Sequence, residues 1–574
     1  MKRSHWLILA LVIPLALAVV LLTACGDQSS VDGTPTAAPT ALPTPSPTPT
    51  PLPEGATTAA RIRARGTLRV GVRYDLMPFG YITAGGEVAG FGVDVGRELA
   101  QRWLDDPEAV QFEQVRSDTA IEHLQAGDVD LVVTALIHSQ DREALADFSL
   151  PFFIDGHALL VRSADAAALS HLEGLQGRTV GVLAWEDAAD ALRGVTPFTL
   201  TFQVYDRFDG AVAALERGEV DAVAELRRRL FWGQHLYPDT AIVNQYTSAS
   251  VGFVFVQNDP HFADLVNLTF QELLADGTYA ALYSRWFSEY PPPVERWPGT
   301  EMLTLADAPV VASVPDTISA IQSRGRLVVA MPTDRSPFAY VDGTGAPVGY
   351  EVNLVQRMAR RWLGDGTAIE FITTTLPLGR EMVRAGQADI LLGGLRHTRE
   401  LELELDFGLT TYWAGEGLLV WAGTPVTDLL DLGGQPVAVV ESSLEVLQQA
   451  MQDVGAPLTV MPQPTVESAI RLLEGGYAVA VVGDRADLLG PAYATPGMGV
   501  LPLRLVHVPV ALGLPPGDSA FRDLVNLTLQ AMKAEGELDA LYFTWFDDAP
   551  PALESWPGNP YRLLRLEVAQ ASEG

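Results

Sequence analysis

The feature that most constrains the fold is an internal repeat. Residues 130–153, DLVVTALIHSQDREALADFSLPFF, recur at 389–412 as DILLGGLRHTRELELELDFGLTTY, with Phe148 and Phe407 259 residues apart. Other matched segments, up to the closing DGTYAALYSRWF and EGELDALYFTWF, keep nearly the same offset, so that almost all loops are equally long in both copies. Each copy then ends with a WPG motif, at 297–299 and 556–558. Self-similarity of this length predicts a duplicated domain.

Within each copy, strand and helix patterns alternate at short intervals. GTLRVGV at 66–72 predicts a strand, and GFGVDVGRELAQRWL at 90–104 predicts an amphipathic helix. This alternation is typical of a largely parallel α/β sheet. It restarts after residue 161, which predicts a second lobe. If the strand and two helices at 251–287 pack back on the first lobe, two crossings join the lobes as a hinge.

The repeated segment also contains a candidate binding group. Residues 131–134 predict a short buried strand, and Ser139 is a candidate cap for a short helix that carries Arg142. This position places a guanidinium at the carboxyl edge of a sheet, where open α/β folds bind ligands. The ungapped copy of Arg142 is Leu401.

Composition excludes several classes of function. The net charge of −33 leaves no basic stripe to neutralise the phosphates of nucleic acid. The nine histidines are scattered without metal-ligand spacing, and P-loop and GxSxG motifs are absent from the sequence. We therefore expect no metal and no cofactor.

The N-terminal region predicts export and anchoring. Residues 1–25 combine a basic start, an apolar run and small residues before Cys25, the single cysteine, which is the pattern of an export signal. LTAC at 22–25 resembles the lipobox of bacterial lipoproteins, which implies lipidation of Cys25. The alternative is an uncleaved membrane anchor, although its apolar run is barely long enough. The Pro- and Thr-rich residues that follow predict an extended stalk.

The motifs together resemble those of the bacterial family 3 extracellular solute-binding proteins. GTLRVG, the GF-x-VD helix, the DFS stretch, a VDA strand and the DGTY…RWF ending all have counterparts in that family. The resemblance implies two tandem type II periplasmic-binding-protein (Venus flytrap) domains, each made of two α/β lobes with a two-crossing hinge.

This resemblance implies a division of the whole chain. The predicted parts are a signal peptide at 1–25, a stalk at 26–58, domain 1 at 59–300, a linker at 301–316, domain 2 at 317–560 and a tail at 561–574. In domain 1 we expect lobe 1 at 59–158 and 251–300 and lobe 2 at 159–250. In domain 2 we expect lobe 1 at 317–417 and 510–560 and lobe 2 at 418–509.

The family pattern also assigns candidate ligand contacts. Arg142 matches the arginine that clamps a ligand carboxylate with two charge-assisted bonds; the alternative is an ordinary ion pair with Asp141, Glu143 or a neighbouring loop. The carboxylate expected for the ligand ammonium is Asp484 in domain 2. In domain 1 that slot falls on Leu226, with Glu225 one residue earlier.

The remaining candidates lie around the same clefts. Ser442 and Ser443 match the helix start that offers hydroxyls and N–H groups to an anion, where domain 1 has Trp185 and Glu186; capping alone is the alternative for the serines and Asp484. Further candidates are the possible arginine substitutes, the pocket-edge aromatics and one strand-end hydroxyl: Arg396, Arg399, Tyr74, Phe79, Phe338 and Thr134. For the phenylalanines, core packing is the alternative.

The resemblance implies a lipid-anchored, extracytoplasmic protein that captures a small polar, carboxylate-bearing solute, such as an amino acid, for an ABC importer. A permease is the expected partner, together with the membrane through the anchor. The alternatives are a sensor or scaffold with one or both pockets degenerate and, less favoured, a periplasmic dehydratase-like enzyme using Glu225 or Glu186. We expect no enzymatic activity.

Overall fold

The computed structural model describes residues 57–184, 187–287, 289, 291–307, 315–546, 550–553 and 556–557. The predicted signal peptide, the lipidation site Cys25, nearly all of the stalk and the C-terminal tail lie outside the described residues. Within the described ranges, no helix is both long enough and apolar enough to span a bilayer.

Domain 1 alternates strands and helices as the sequence predicts. Its helices are α1 (Thr58–Arg65), α2 (Phe91–Leu104), α3 (Ala120–Ala126), α4 (Gln140–Glu143), α5 (Ala188–Val195), α6 (Phe208–Glu216), α7 (Arg227–Leu236), α8 (Pro260–Ala275) and α9 (Thr278–Trp286). Its strands are β1 (Leu68–Val72), β2 (Asp75–Leu76), β3 (Gly80–Ile82), β4 (Val88–Ala89), β5 (Val110–Gln114), β6 (Leu131–Val132), β7 (Asp147–Asp155), β8 (His157–Arg162), β9 (Thr179–Leu183), β10 (Thr201–Tyr205), β11 (Ala222–Leu226), β12 (Thr240–Val243) and β13 (Ala249–Phe255).

Ten of these strands form one five-stranded sheet in each lobe of domain 1, and β2, β3 and β4 form a separate three-stranded sheet. The order is β5-β1-β6-β13-β7 in lobe 1 and β10-β9-β11-β8-β12 in lobe 2. The first three strands of each order are parallel, whereas β13 and β8 run antiparallel to their neighbours. Because β7 and β12 in turn run antiparallel to β13 and β8, four of the five strands in each sheet share one direction. The expectation of a largely parallel sheet is therefore confirmed, with one antiparallel strand in each sheet where the chain enters the lobe after a crossing.

Domain 2 repeats this architecture. Its helices are α10 (Thr317–Arg324), α11 (Tyr350–Leu363), α12 (Leu376–Arg384), α13 (Arg399–Glu402), α14 (Leu444–Asp453), α15 (Val466–Glu474), α16 (Arg485–Ala494), α17 (Ser519–Ala534) and α18 (Glu537–Phe546). Its strands are β14 (Leu327–Met331), β15 (Asp334–Arg335), β16 (Ala339–Val341), β17 (Pro347–Val348), β18 (Ile369–Thr373), β19 (Ile390–Arg396), β20 (Asp406–Phe407), β21 (Tyr412–Ala414), β22 (Glu416–Trp421), β23 (Pro436–Val440), β24 (Thr459–Gln463), β25 (Ala480–Asp484), β26 (Met498–Arg504) and β27 (Val508–Leu514). The sheet orders are β18-β14-β19-β27-β20, with β21 also on β27, and β24-β23-β25-β22-β26.

The repeat extends to individual hydrogen bonds in the two cores. Trp103 Nε1 donates to Thr269 Oγ1 at 2.9 Å in domain 1, and Trp362 Nε1 donates to Thr528 Oγ1 at 2.9 Å in domain 2. These bonds satisfy the indole N–H that a large aromatic side chain brings into an apolar core. The matching bonds show that each copy folds around the same packing scheme.

Two chain crossings join the lobes of each domain, and a glycine lies at the first crossing. Gly156, between β7 and β8, has a φ of 141°, and a Cβ there would lie 2.1 Å from the carbonyl oxygen of Thr247 on the second crossing. Gly415 has the same role in domain 2, with a φ of 133° and 2.0 Å to the carbonyl oxygen of Val506. Only glycine permits both this backbone conformation and this close approach of the crossings.

Candidate ligand-binding clefts

The cleft of domain 2 contains a small polar cavity of about 210 Å³ between the lobes. Its lining comes from the hairpin β15–β16, the end of β19 and the start of α16: Asp334, Arg335, Ser336, Phe338, Gly394, Arg396, Ala414, Asp484, Ala486, Asp487 and Val510. Three of the residues predicted from sequence, Phe338, Arg396 and Asp484, therefore lie together at this cavity.

An ion pair joins the two lobes across this cavity. Arg396 at the end of β19 pairs with Asp484 at the end of β25. Asp484 is also the N-cap of α16, where its Oδ1 accepts the N–H of Ala486 at 2.8 Å. Asp484 therefore caps its helix and also lines the cleft, where its carboxylate is paired with Arg396.

A buried carboxylate lies behind the same cavity. Glu351 is fully buried in α11 and accepts the N–H of Gly393 at 2.7 Å and the N–H of Gly394 at 3.1 Å. Burial raises the pKa of Glu351 to about 7, although the two backbone donors and the charge of Arg335 act in the opposite direction. The cleft of domain 2 is therefore next to a carboxyl group that titrates near neutral pH.

The equivalent region of domain 1 is filled differently. Asp155 at the end of β7 is fully buried, and it pairs with Arg228 near the start of α7 and accepts the N–H of Arg228 at 3.1 Å. The strand pairings and helix starts place these residues where domain 2 has Ala414 and Ala486. An ion pair thus stands beside the hinge of domain 1 where domain 2 has two alanines.

Arg142 lies on α4, as the sequence predicts. Ser139 occupies the N-cap position without making the side-chain capping bond. The Arg142 guanidinium donates to the carbonyl oxygen of Ile137 at 2.7 Å, and no carboxylate among the described residues forms an ion pair with it. Burial and then the nearby positive charge of Arg228 lower the pKa of Arg142. Arg142 is therefore near enough to Arg228, a cation of the other lobe, for its pKa to be affected by that charge.

In domain 1, the predicted site residues Glu225 and Tyr74 make hydrogen bonds or ion pairs with other groups of the protein. Glu225 is fully buried, accepts the N–H of Leu226 at 2.8 Å and pairs with Arg229 at 3.1 Å. Tyr74 donates its hydroxyl to the carbonyl oxygen of Phe112 at 2.9 Å. The pairing of β11 with β8 places Leu226 at the position that Asp484 holds in β25 of domain 2.

Two further candidates of domain 1 are buried. Phe79 packs in the core against Phe153, with ring centroids 5.0 Å apart. Thr134 is buried, and its hydroxyl has no hydrogen-bond partner among the described residues. Trp185 and Glu186 lie outside the described residues.

In domain 2, three predicted site residues are not part of the cavity lining: Ser442, Ser443 and Arg399. Ser442 is exposed, and Ser443 is buried at the start of α14 without making a side-chain capping bond. Arg399 lies at the contact between the domains, where its N–H donates to the carbonyl oxygen of Pro298 at 2.9 Å. Arg396, and not Arg399, is the arginine that reaches the cleft of domain 2.

A larger cavity, of about 560 Å³, lies between the two domains and not in either cleft. Its lining includes His138, Glu143 and Phe148 of domain 1, their counterparts His397, Glu402 and Phe407, and the tryptophans of the two WPG motifs, Trp297 and Trp556. The larger cavity lies at the interface between the two domains and is lined by matching residues of both copies.

Sequence reasoning missed Asp155, Arg228 and Glu351. A signal was present, because alignment of the two copies places charged residues in one domain opposite alanine or glycine in the other. Arg228 aligns with Ala486, and Glu351 aligns with Gly92. A charge that appears in only one copy of a repeat indicates where the two sites diverge.

The sequence profile of the bacterial extracellular solute-binding proteins, family 3, matches residues 68–289 and 327–548. The chain belongs to this family, with two tandem domains of the periplasmic-binding-protein type II fold. The glutamine-binding protein of Geobacillus stearothermophilus is 30% identical over 238 residues, which are 41% of this chain and 86% of that protein. The ABC transporter glutamine-binding protein GlnH of Bacillus subtilis is 25% identical over 277 residues, which are 48% of this chain and 94% of that protein.

Solved structures are also similar to parts of the chain. The crystal structure of the ancestral amino acid-binding protein AncCDT-1, described as a precursor of cyclohexadienyl dehydratase, is 27% identical and covers 40% of this chain and 100% of its own, with a TM-score of 0.32.

Proposed function

We propose that this protein is a lipid-anchored, extracytoplasmic solute-binding protein whose domain 1 captures a small carboxylate-bearing solute, an amino acid or an analogue, for an ABC importer. The observation that carries the proposal is Arg142, a half-buried guanidinium at the cleft without a carboxylate partner among the described residues. The LTAC sequence at 22–25 supports anchoring through Cys25, and membership of the family supports delivery to a permease.

The charges around Arg142 support an anionic group on the ligand. Arg142 and Arg228 approach each other from opposite lobes, and Asp155 neutralises only Arg228. Two guanidinium groups in a partly buried cleft repel each other unless an anion lies between them. A carboxylate relieves this repulsion and accepts two charge-assisted hydrogen bonds from the planar fork of Arg142.

The named relatives support the chemical class of the solute. Two of them are glutamine-binding proteins, and one of these is described as part of an ABC transporter. We therefore take L-glutamine and L-glutamate as the first probes for domain 1.

A second candidate function is sensing or scaffolding. The observation that favours it is the Arg396–Asp484 pair, which joins the lobes of domain 2 through protein groups alone. In this second function, domain 2 holds its lobes together through Arg396 and acts as a structural partner of domain 1.

An enzymatic role has less support. Glu225, the described carboxylate considered for dehydratase-like chemistry, is fully buried and paired with Arg229, so that it lacks access to a substrate. We therefore assign no catalysis to this chain.

The test is a thermal-shift screen of the chain from residue 57 with L-glutamine, L-glutamate and other small carboxylates. A ligand at one hundred times its Kd stabilises the protein by about 2.7 kcal/mol. We expect Arg142→Ala to abolish this shift and the matched control Leu401→Ala, at the same position in domain 2, to retain it. A shift that persists in Arg142→Ala contradicts the role of Arg142, and the absence of any shift favours the scaffold.

A further inference from the structure

The tryptophan of each WPG motif is anchored in its own domain. The backbone N–H of Trp297 donates to Gln271 Oε1 of α8 at 3.1 Å, and that of Trp556 donates to Gln530 Oε1 of α17 at 2.9 Å. Gln271 and Gln530 occupy equivalent positions in the two copies. The two tryptophan segments, which we define as Trp297 with Pro298 and Trp556 with Pro557, therefore leave their domains in the same way.

Each tryptophan then packs against a histidine of the other domain. Trp556 stacks on His138 with ring centroids 4.0 Å apart, and Trp297 stacks on His397 at 4.1 Å. The opposite face of each imidazole is covered by a phenylalanine of its own domain, with centroids 4.2 Å apart in both cases. The two histidines are therefore held between aromatic rings from both domains.

Backbone hydrogen bonds follow the same exchange. The carbonyl oxygen of Pro557 accepts the N–H of Gln140 at 3.1 Å, and that of Pro298 accepts the N–H of Arg399 at 2.9 Å. Gln140 and Arg399 are the first residues of α4 and α13. Each tryptophan segment thus binds the start of a four-residue helix in the other domain.

The ends of these two helices are tied to the stacked histidines. In domain 1 the imidazole of His138 hydrogen-bonds Glu143, the last residue of α4. In domain 2 His397 Nε2 lies 2.5 Å from Glu402 Oε2, at the end of α13. A four-residue helix is too short to be stable without such contacts, so its orientation depends on the groups that hold its two ends.

These contacts connect each tryptophan segment to the cleft arginine of the other domain. In domain 1, α4 carries Arg142, which donates to the carbonyl oxygen of Ile137, the residue before His138. In domain 2, the residue before His397 is Arg396, which pairs with Asp484 across the cleft. We propose that the tryptophan segment of each domain positions the cleft arginine of the other, so that each binding cleft is completed by the partner domain. For ligand binding, this inference rests on the proposed function.

The structural arm of the test is hydrogen exchange of the chain without added solute. We expect Trp556→Ala to raise exchange at the amides of α4 at least tenfold and to leave α13 unchanged. Trp297→Ala should have the opposite selectivity, and Trp556→Phe, which keeps an aromatic ring on His138, should restore most of the protection. Unchanged exchange in α4, or equal loss in both helices, overturns the proposal.

A backbone variant removes the cross-domain bond without deleting the tryptophan. Gln140→Pro lies at the first helical position, which tolerates proline, and the preceding Ser139 is extended (φ −131°, ψ 154°), as the residue before a proline requires. It removes the backbone N–H that donates to the carbonyl oxygen of Pro557 and also the side-chain amide, whose Nε2 donates to the carbonyl oxygen of Trp556 at 3.2 Å. Arg399→Pro is the matched variant for domain 2. We expect faster exchange in the rest of α4 for the first variant and of α13 for the second, and unchanged exchange in either helix overturns the proposal for that domain.

The binding arm uses L-glutamine or L-glutamate, whichever gives the thermal shift. We expect Trp556→Ala and Gln140→Pro to weaken binding to domain 1 at least tenfold, whereas Trp297→Ala and Arg399→Pro leave it unchanged. Equal affinities in all four variants overturn the positioning role while solute binding stands. If neither amino acid binds, the proposed function fails and the exchange experiment still decides the positioning.

Discussion

Beside the hinge, domain 1 has Asp155 and Arg228 at the positions where domain 2 has Ala414 and Ala486. Domain 2 instead joins its lobes with Arg396 and Asp484, where domain 1 has Ile137 and Leu226. Domain 1 has a further inter-lobe ion pair, between Arg227 and Glu289. The Asp155–Arg228 pair of domain 1 and the Arg396–Asp484 pair of domain 2 lie at different depths. The pair of domain 1 includes a fully buried carboxylate, whereas the arginine of the domain 2 pair is 42% exposed.

This difference indicates that the two clefts have diverged in charge while keeping one backbone plan. In domain 1 the ion pair next to the hinge leaves Arg142 available for an anion. In domain 2 the ion pair occupies Asp484 itself. We therefore expect the two domains to differ in ligand response, and the following predictions test that contrast from the largest expected effect to the smallest.

The largest effect should come from Arg228→Ala, which leaves the buried carboxylate of Asp155 without its partner. Breaking a buried pair on one side costs about 3–5 kcal/mol. The double variant Arg228→Ala with Asp155→Ala reproduces the alanines of domain 2 and should cost less than Arg228→Ala alone. Urea denaturation of the four proteins in this double-mutant cycle measures the difference. If Arg228→Ala lowers the free energy of unfolding by less than about 1 kcal/mol, the Asp155–Arg228 pair behaves like an exposed ion pair and does not differ in this respect from Arg396–Asp484.

The next effect depends on pH and belongs to domain 2 alone, because Glu351 aligns with Gly92 of domain 1. The folded-state pKa of Glu351, about 7, lies above its ordinary value of 4.5, so the folded state favours the protonated carboxyl. Its stabilising contribution is therefore complete below about pH 4.5 and is lost as pH rises through 7. The full difference corresponds to about 3 kcal/mol.

Glu351→Gln tests this prediction because the amide keeps an acceptor for the glycine N–H groups but does not titrate. The free energy of unfolding, measured between pH 4.5 and 8, should fall less steeply in Glu351→Gln than in the wild type. Gly92→Ala is not a suitable control, since a Cβ there would lie 2.5 Å from the carbonyl oxygen of Val133. Identical pH slopes in the two proteins would contradict the raised pKa.

The smallest effect on stability should come from Arg396→Ala. Because this guanidinium is partly exposed, the ion pair with Asp484 contributes only about 0–1 kcal/mol. The variant should nevertheless open the cleft of domain 2, which small-angle scattering of wild type and variant can detect. A stability loss comparable with that of Arg228→Ala would mean that the two inter-lobe pairs are equivalent.

Much of the fold could be predicted from the sequence because each sequence pattern occurs in both copies of the repeat. The alternation of strands and helices, the two lobes and the short helix with Arg142 were all predicted from local periodicity. The equivalence of Leu226 and Asp484, which the family pattern implied, agrees with the strand register. The one antiparallel strand of each sheet was not predicted, because apolar patterns in a buried strand are the same for parallel and antiparallel pairing.

The candidate sites were predicted less completely. The sequence grouped Arg396 with Arg399 as substitutes for the missing arginine, but only Arg396 reaches the cleft, whereas Arg399 contacts Pro298 of the other domain. The WPG motifs were visible as repeated features without an assigned role. Their role depends on how the two domains pack, which no local pattern encodes.

By itself, the sequence determined the duplication, the family and the lobe architecture, because periodicity and repeat spacing are properties of neighbouring residues. Only the tertiary structure decided which charges meet across each cleft and which tryptophan covers which histidine. Trp556 and His138, for example, are separated by more than four hundred residues, yet their rings lie 4.0 Å apart. Such contacts arise when whole domains pack together, because residues far apart in the chain then determine which side chains are buried and which charges meet.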